Sequence, residues 1–202
     1  MPSIYDLKKR FQDLLRPPCR ALARRGVTAN QVTLAAMALS FASGGLVLLW
    51  PGERWPLLVM PAALLARMAL NAIDGMMARE HAMRSALGAL LNELGDVLSD
   101  AALYLPLGVV PGLPARLIAP IVVLAIIVEM TGVVAAQIGA GRRYDGPMGK
   151  SDRAFAFGVV TLLLGAGVPP GTWSDIVLAA IAVLLGATIV NRARAALRGV
   201  AP

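Results

Sequence analysis

Histidine and cysteine are almost missing from this 202-residue chain: His81 and Cys19 each stand alone. A single cysteine forms no internal disulfide, and neither residue has neighbours that complete a metal-ligand spacing. Zinc chemistry and Cys/His nucleophilic catalysis are therefore not indicated. Charge is scarce as well, at 15% of residues, where a soluble domain carries about 25%. The deficit is matched by 57% hydrophobic residues and a mean hydropathy of +0.69. The apolar residues fall in several long runs, which argues against a soluble globule and for a polytopic membrane protein. At about 20 residues per crossing, the length holds about six spans and short connections. One membrane domain over residues 1–202 is expected, with little room for a separate soluble one. Acid is the minority sign, and 19 Lys and Arg against 12 Asp and Glu give a net charge of +7. These cations lie between the apolar runs, as membrane topology requires, so no nucleic-acid partner is expected.

The fold class expected is all-α, with six transmembrane helices preceded by an N-terminal amphipathic helix lying in the interface. The spacing predicts that first helix over residues 3–16, where Ile4, Leu7, Phe11, Leu14 and Leu15 share one face and Lys8, Lys9 and Arg10 supply positive charge. Ser3 is its candidate cap, and Pro17-Pro18 is expected to end it. Spans are drawn at 31–50, 56–79, 86–110, 114–139, 153–168 and 174–194, making a bundle over 31–194. Pro51-Gly52, Pro111-Gly112 and Pro169-Pro170-Gly171 mark tight turns. The first apolar run is span-length and begins only near Gln31, so it reads as a retained helix rather than a cleaved signal. One side of the membrane receives nearly all the basic residues, the other only Arg54 and Arg116 together with Trp50, Trp55 and Trp173. The basic residues put the two termini in the cytoplasm, the tryptophans fall at the opposite interface, and the two signals agree on six spans, with a bacterial cytoplasmic membrane as the expected location.

Ionisable residues inside a bilayer cost roughly 2.5–3.5 kcal/mol each on insertion scales, so they mark function by default. Here Arg67, Asp74, Glu93, Asp96, Asp100 and Glu129 fall inside the drawn spans. At helical spacing Arg67, Asn71, Asp74 and Ala78 form one stripe of the second span, and Gly88, Asn92, Asp96 and Asp100 form another on the third, with Glu93 at its border. The two stripes should meet at one depth near the cytoplasmic side. Clustered carboxylates repel unless a cation neutralises them, and all-oxygen donors select a hard ion. The same carboxylates, paired only with Arg67 and nearby hydroxyls, would be purely structural, but so many on facing stripes favour a shared metal. Gly75, Ala78 and Gly88 leave room for a bulky anion, and Arg79 suits phosphate oxygens. Together these features suggest phosphoryl-type transfer. An ion-coupled transporter would use the same residues, but it predicts broken helices or inverted repeats, and neither is evident.

The segment from Asp74-Gly75 through Ala78-Arg79 to Gly88 and Asp96 resembles the CDP-alcohol phosphotransferase (CDP-alcohol phosphatidyltransferase) signature, D-x-x-D-G-x-x-A-R-x8-G-x-x-x-D-x-x-x-D. Gly26 to Thr33 is similar to the G-x-T-P-N-x-V-T approach to that family's first span, with Ala29 replacing the proline. The first and third signature aspartates fall on Asn71 and Asn92, which keep a ligating oxygen but lose the charge. Those two changes should weaken cation binding or reduce the family's usual two ions to one, with Glu93 and Asp100 close enough to restore charge.

The resemblance implies an enzyme moving a phosphatidyl-type group from a CDP-linked lipid to an alcohol acceptor, with CMP released. It implies Mg²⁺ or Mn²⁺, one or two ions, on Asp74, Asp96, Asn71, Asn92 and Asp100, with Asp96 as general base. Asn30, Gly75, Ala78, Arg79 and Gly88 would bind the nucleotide diphosphate. Lys150 and Arg153, at the entrance to the fifth span, would hold a phosphate, although positive-inside topology alone also explains them. Gly149-Lys150-Ser151 imitates a P-loop but lacks its earlier glycine, where Tyr144 stands, and no strand precedes it. A homodimer among membrane lipids is implied too, with Ser40 and Gly44 as weak independent support. A relative that binds nucleotide lipid without turnover is the alternative that Asn71 and Asn92 leave open.

Overall fold

A computed structural model describes residues 4–200, with side chains from Phe11 onward. Ser3, the expected cap, lies outside the described residues, as do the side chains of Ile4, Leu7, Lys8, Lys9 and Arg10. Seven α-helices follow one another: α1 (Ile4–Arg24), α2 (Ala29–Leu49), α3 (Trp55–Glu80), α4 (Ala86–Tyr104), α5 (Ala115–Gln137), α6 (Lys150–Gly165) and α7 (Thr172–Gly199). A short 3-10 helix, Leu105–Val109, continues α4.

The first helix does not end at Pro17-Pro18, as its sequence suggested, but runs through both prolines to Arg24. A proline removes one amide and leaves the carbonyl four residues earlier without its donor. Here those carbonyls belong to Asp13 and Leu14, which are exposed, as are both prolines, so solvent can take the donor's place. The opposite face anchors the helix. Cys19 is buried, and Leu15, Leu22 and Ala23 pack with it against Ile73, Met76 and Met77 of α3. The next helix is fixed at its start by a capping box. Thr28 Oγ1 accepts from Gln31 N at 3.3 Å, and Gln31 Oε1 accepts from Thr28 N at 2.9 Å.

Four helices, α2, α3, α5 and α7, are long and apolar enough to cross a bilayer. The other two drawn spans have physical reasons to differ. In α4, Glu93, Asp96 and Asp100 fall within 19 residues. In α6 there are only 16 residues, which rise about 24 Å against a hydrocarbon core of about 30 Å. Even so, α4 turns Leu87, Leu90, Leu94 and Leu98 outward, so its charges face the protein interior.

Helix α2 packs against both α3 and α4, whereas α3 and α4, though consecutive, have little direct backbone contact. Helix α6 packs on α3, and α7 on α5. The main apolar core joins α3 to α7, with the Tyr104 ring stacked on Phe157 at 4.1 Å between centroids. Where α2 crosses the end of α4, their close approach depends on Gly44. Pro106 has no amide to give the carbonyl of Ala102, and a Cβ on Gly44 would overlap that same oxygen. The glycine hydrogen in the Cβ position therefore points at an acceptor the helix has freed, a weak C–H···O contact. Ser40 is buried in the same helix. Both small residues, weak signs of dimerisation in the sequence, lie inside the chain's own packing.

Gly44→Ala should force α2 and α4 apart and destabilise the protein by about 1–3 kcal/mol, as overpacking does. Gly45→Ala, where a Cβ meets nothing within 4 Å, should leave the thermal midpoint unchanged or slightly raised. Unfolding of the two variants in detergent checks the pair, and equal midpoints would refute the close approach.

Candidate active site

The separation of α3 from α4 opens a cleft of about 370 Å³. It is lined by Asn30 and Thr33 of α2, by Asp74, Gly75, Ala78 and Arg79 of α3, and by Gly88 and Asn92 of α4. Met83, Arg84 and Ser85 of the connection close one end. Seven expected substrate or metal residues thus share one cavity. Gly88 is needed because a side chain there would start 2.7 Å from Asn30 Oδ1, and Ser85 Oγ caps α4 by accepting from Gly88 N at 2.9 Å. The Arg79 guanidinium folds back over Gly75, with Nη1 3.2 Å from where a Cβ would be. Neither Arg79 nor Arg84 has a carboxylate partner among the described residues.

Asp74 is buried, and its Oδ2 accepts a hydrogen bond from Thr33 Oγ1 at 2.8 Å. No cation lies within ion-pair distance of it among the described residues. Asn71, one turn before it, has a buried Nδ2 with no partner. Asp96 sits just beyond the cleft, one turn past Asn92. Lys150 Nζ donates to Asp96 Oδ1. The Arg67 guanidinium is 3.7 Å from the same oxygen and donates to the Asp96 carbonyl at 3.1 Å. Both cations act on Oδ1, and Oδ2 receives no hydrogen bond among the described residues.

Deeper in the bundle the picture differs from the sequence reading. Asp100, expected among the metal ligands, gives Oδ1 to Arg67 at 2.6 Å and Oδ2 to Arg153 at 2.7 Å. With both oxygens engaged and 3% exposure it does not face the cleft. Arg153, expected on a phosphate, is 1% exposed and reaches on to Glu129 Oε1 at 3.0 Å. Glu129, whose role the sequence left open, is a junction. Its Oε2 accepts from Arg142 at 3.0 Å and from Arg192 at 3.4 Å, and Arg142 also clamps Glu93 at 2.8 and 3.1 Å. In the loop before α6, Arg143 grips Asp145 with two bonds of 2.8 and 2.9 Å, which hold that carboxyl below the usual carboxylate range. Thr33, Arg142 and Arg192 were not anticipated as site residues. The signal for Arg192 was its position inside the last drawn span; for Thr33 it was the approach motif that ends on it.

The family described as CDP-alcohol phosphatidyltransferase matches residues 26–190. The chain belongs to that family. Among curated relatives it is 43% identical over 195 residues to "Inner membrane protein YnbA" of Escherichia coli K12, covering 96% of each chain. It is also 30% identical over 174 residues to the phosphatidylinositol phosphate synthase of Mycolicibacterium smegmatis, covering 83% of this chain and 74% of the relative. Among solved structures, its fold resembles Mycobacterium tuberculosis phosphatidylinositol phosphate synthase PgsA1 with CDP-DAG bound, at TM-score 0.77 and 19% identity over 94% of this chain and 98% of that one. A form of PgsA1 in complex with manganese and citrate gives TM-score 0.75 at 20% identity, over 93% and 92%. Family, apolar helices and the inner-membrane relative together make this an integral membrane protein of phospholipid biosynthesis.

The family depends on a divalent metal, and the donors that line the cleft are oxygens, which suit a hard ion. Asp74 offers a carboxylate with no cation within ion-pair distance among the described residues, and Asn92 offers a carboxamide oxygen in the same cleft, whereas Asn71 does not line it. No group of three His, Cys, Asp or Glu residues suited to a metal occurs among the described residues.

Asp100→Asn removes the shared anion between two buried guanidiniums and should destabilise the protein by about 3–5 kcal/mol, the usual effect of leaving a buried charge unpaired. Thermal unfolding in detergent measures it, and a loss under about 1 kcal/mol would be an exposed-pair value that contradicts the burial of this network.

Proposed function

We propose that this protein transfers a phosphatidyl-type group from CDP-diacylglycerol to an alcohol acceptor and releases CMP. One observation carries the reading: Arg79, Arg84 and Asp74, none of them in an ion pair among the described residues, share a single cleft, and Asp96 stands at its edge with no hydrogen bond to Oδ2 among those residues. Membership of the family and likeness to synthases of a phosphatidylinositol phosphate support it.

In this reading Arg79 takes the oxygens of the diphosphate, helped by Arg84, and Gly75 and Gly88 keep the backbone close to the nucleotide. Asn30 lies against Gly88 and is suited to the nucleotide side of the cleft. Asp74, Asn71 and Asn92 would hold a divalent ion, which neutralises charge on the diphosphate when bound. Lys150 and Arg67 fix Asp96 through Oδ1, and Oδ2 accepts the proton of the acceptor hydroxyl. That oxygen bonds to the phosphorus bearing the lipid, the bridge to the CMP phosphate breaks, and CMP carries away the bridging oxygen. The acyl chains stay in lipid beside α4.

The remaining topology belongs to the same proposal. Helices α2 to α7 all cross the membrane, α1 lies in the headgroup layer, and both termini and the cleft face the cytoplasm of a bacterium. Two copies associate as a homodimer. A second reading, nucleotide-lipid binding without turnover, is favoured by the Lys150–Asp96 pair together with Asn71 and Asn92. The unbroken course of α3 through Asp74 and of α4 through Asp96 argues against an ion-coupled transporter.

Purified protein given labelled CDP-diacylglycerol, Mn²⁺ or Mg²⁺ and a panel of alcohols should release CMP. In Asp96→Asn the rate should fall by roughly 10²-fold or more, the scale of a lost general base. Binding of the labelled lipid with no CMP from any alcohol would favour the second reading. Ion flux in liposomes without lipid binding would discard both.

A further inference from the structure

The acidic residues of the bundle are not equally available to a metal. Asp100 is held by Arg67 and Arg153, Glu129 by Arg142, Arg153 and Arg192, and Glu93 by Arg142. Asp96 is held by Lys150, with Arg67 close by. Asp74 alone among these carboxylates meets only a hydroxyl. A divalent cation that loses its water must gain anionic oxygen in return, and neutral carboxamides give much less than carboxylates. Asn71 and Asn92 therefore extend a coordination shell without adding charge.

Lys150 is built into its position. It is the first residue of α6, where Gly149 N donates to Asp152 Oδ2 at 2.9 Å, and Arg153 one turn on is locked between Asp100 and Glu129. Its ammonium is thus delivered to Asp96 by a helix whose first turn is pinned from below.

We propose that the Lys150 ammonium stands on Asp96 in place of a divalent ion, so that the site takes one divalent cation only, at Asp74, with the remaining oxygens supplied by the substrate diphosphate. This rests on the transfer reading for the identity of the substrate, and it assigns Lys150 to charge compensation at Asp96 rather than to a phosphate. The ion then binds weakly to the free protein and tightly together with the nucleotide, since one carboxylate and two carboxamides leave most of the coordination to the ligand.

Mn²⁺ titration of the purified full chain, read by electron paramagnetic resonance of the free ion with and without CDP, tests this. The expected result is one Mn²⁺ per chain, with affinity raised at least tenfold by CDP. The double variant Asn92→Asp, Lys150→Met restores an acidic pair without the ammonium and should bind two. Two ions on the wild-type chain would overturn the proposal, as would none even with CDP. So would a count of one in a double variant whose thermal unfolding shows it folded. The ion count needs no turnover, so it separates the two claims. One bound ion without CMP release refutes the transfer reading alone, and CMP release with two bound ions refutes the role of Lys150 alone.

Discussion

Between Arg67 on α3 and Arg153 on α6, the Asp100 carboxylate of α4 uses one oxygen for each guanidinium, and Arg153 passes on to Glu129 of α5, where Arg192 of α7 arrives. Five helices meet in this lattice of buried charge. Each member alone would be expensive at such a depth, so the five must come together or none is tolerated. The lattice also sets a distance. Because α3 and α4 have little direct contact, the reach of Arg67 to Asp100 fixes how far apart they stand, and that gap is the cleft. Replacing such a lattice by apolar packing is often neutral for stability, but it would let the two helices close. Stability and site are therefore decided by the same contacts.

Much of this was legible because helical spacing is local. The stripes of α3 and α4 follow directly from a period of 3.6, and one half of each, Asp74 and Ala78 with Gly88 and Asn92, lines one cavity, whereas Arg67, Asn71, Asp96 and Asp100 do not. What could not be read was the order of helices across the bundle. Placing α2 between α3 and α4 brings Thr33 to Asp74, a partner 41 residues away. It also assigns Gly44 to a contact within the chain. Charge pairing was equally out of reach. Asp96 and Asp100 are one turn apart on the same stripe, yet the first meets Lys150 at the edge of the cleft and the second meets two arginines below it. Long side chains choose partners by depth, and depth is a property of the assembled bundle.

The prolines of α1 make the complementary point. A rule that proline ends a helix assumes that the freed carbonyls have nowhere to go. At Pro17-Pro18 they open onto an exposed face while Cys19 and its neighbours hold the other, and tertiary packing outweighs the local penalty. In α4 the reverse occurs. Pro106 falls where the chain is buried against α2, the helix tightens to a 3-10 turn, and Gly44 is needed beside the freed oxygen of Ala102.

Depth along α4 gives a graded use of the same side-chain type. Asn92 is exposed in the cleft, Asp96 is partly covered, and Asp100 is sealed. Four aspartates, as in the family signature, would bring four negative charges and so require strong external cations. Asp74 and Asp96 bring two, and Lys150 cancels one of them from within. One divalent ion then leaves Asp74, Asp96 and Lys150 together at plus one, which with Arg79 and Arg84 attracts a diphosphate; two ions would leave the same three residues at plus three, with too few anionic ligands to hold them. The asparagines at 71 and 92 and the lysine at 150 are thus a consistent set, since each reduces the charge that an added metal would have to balance.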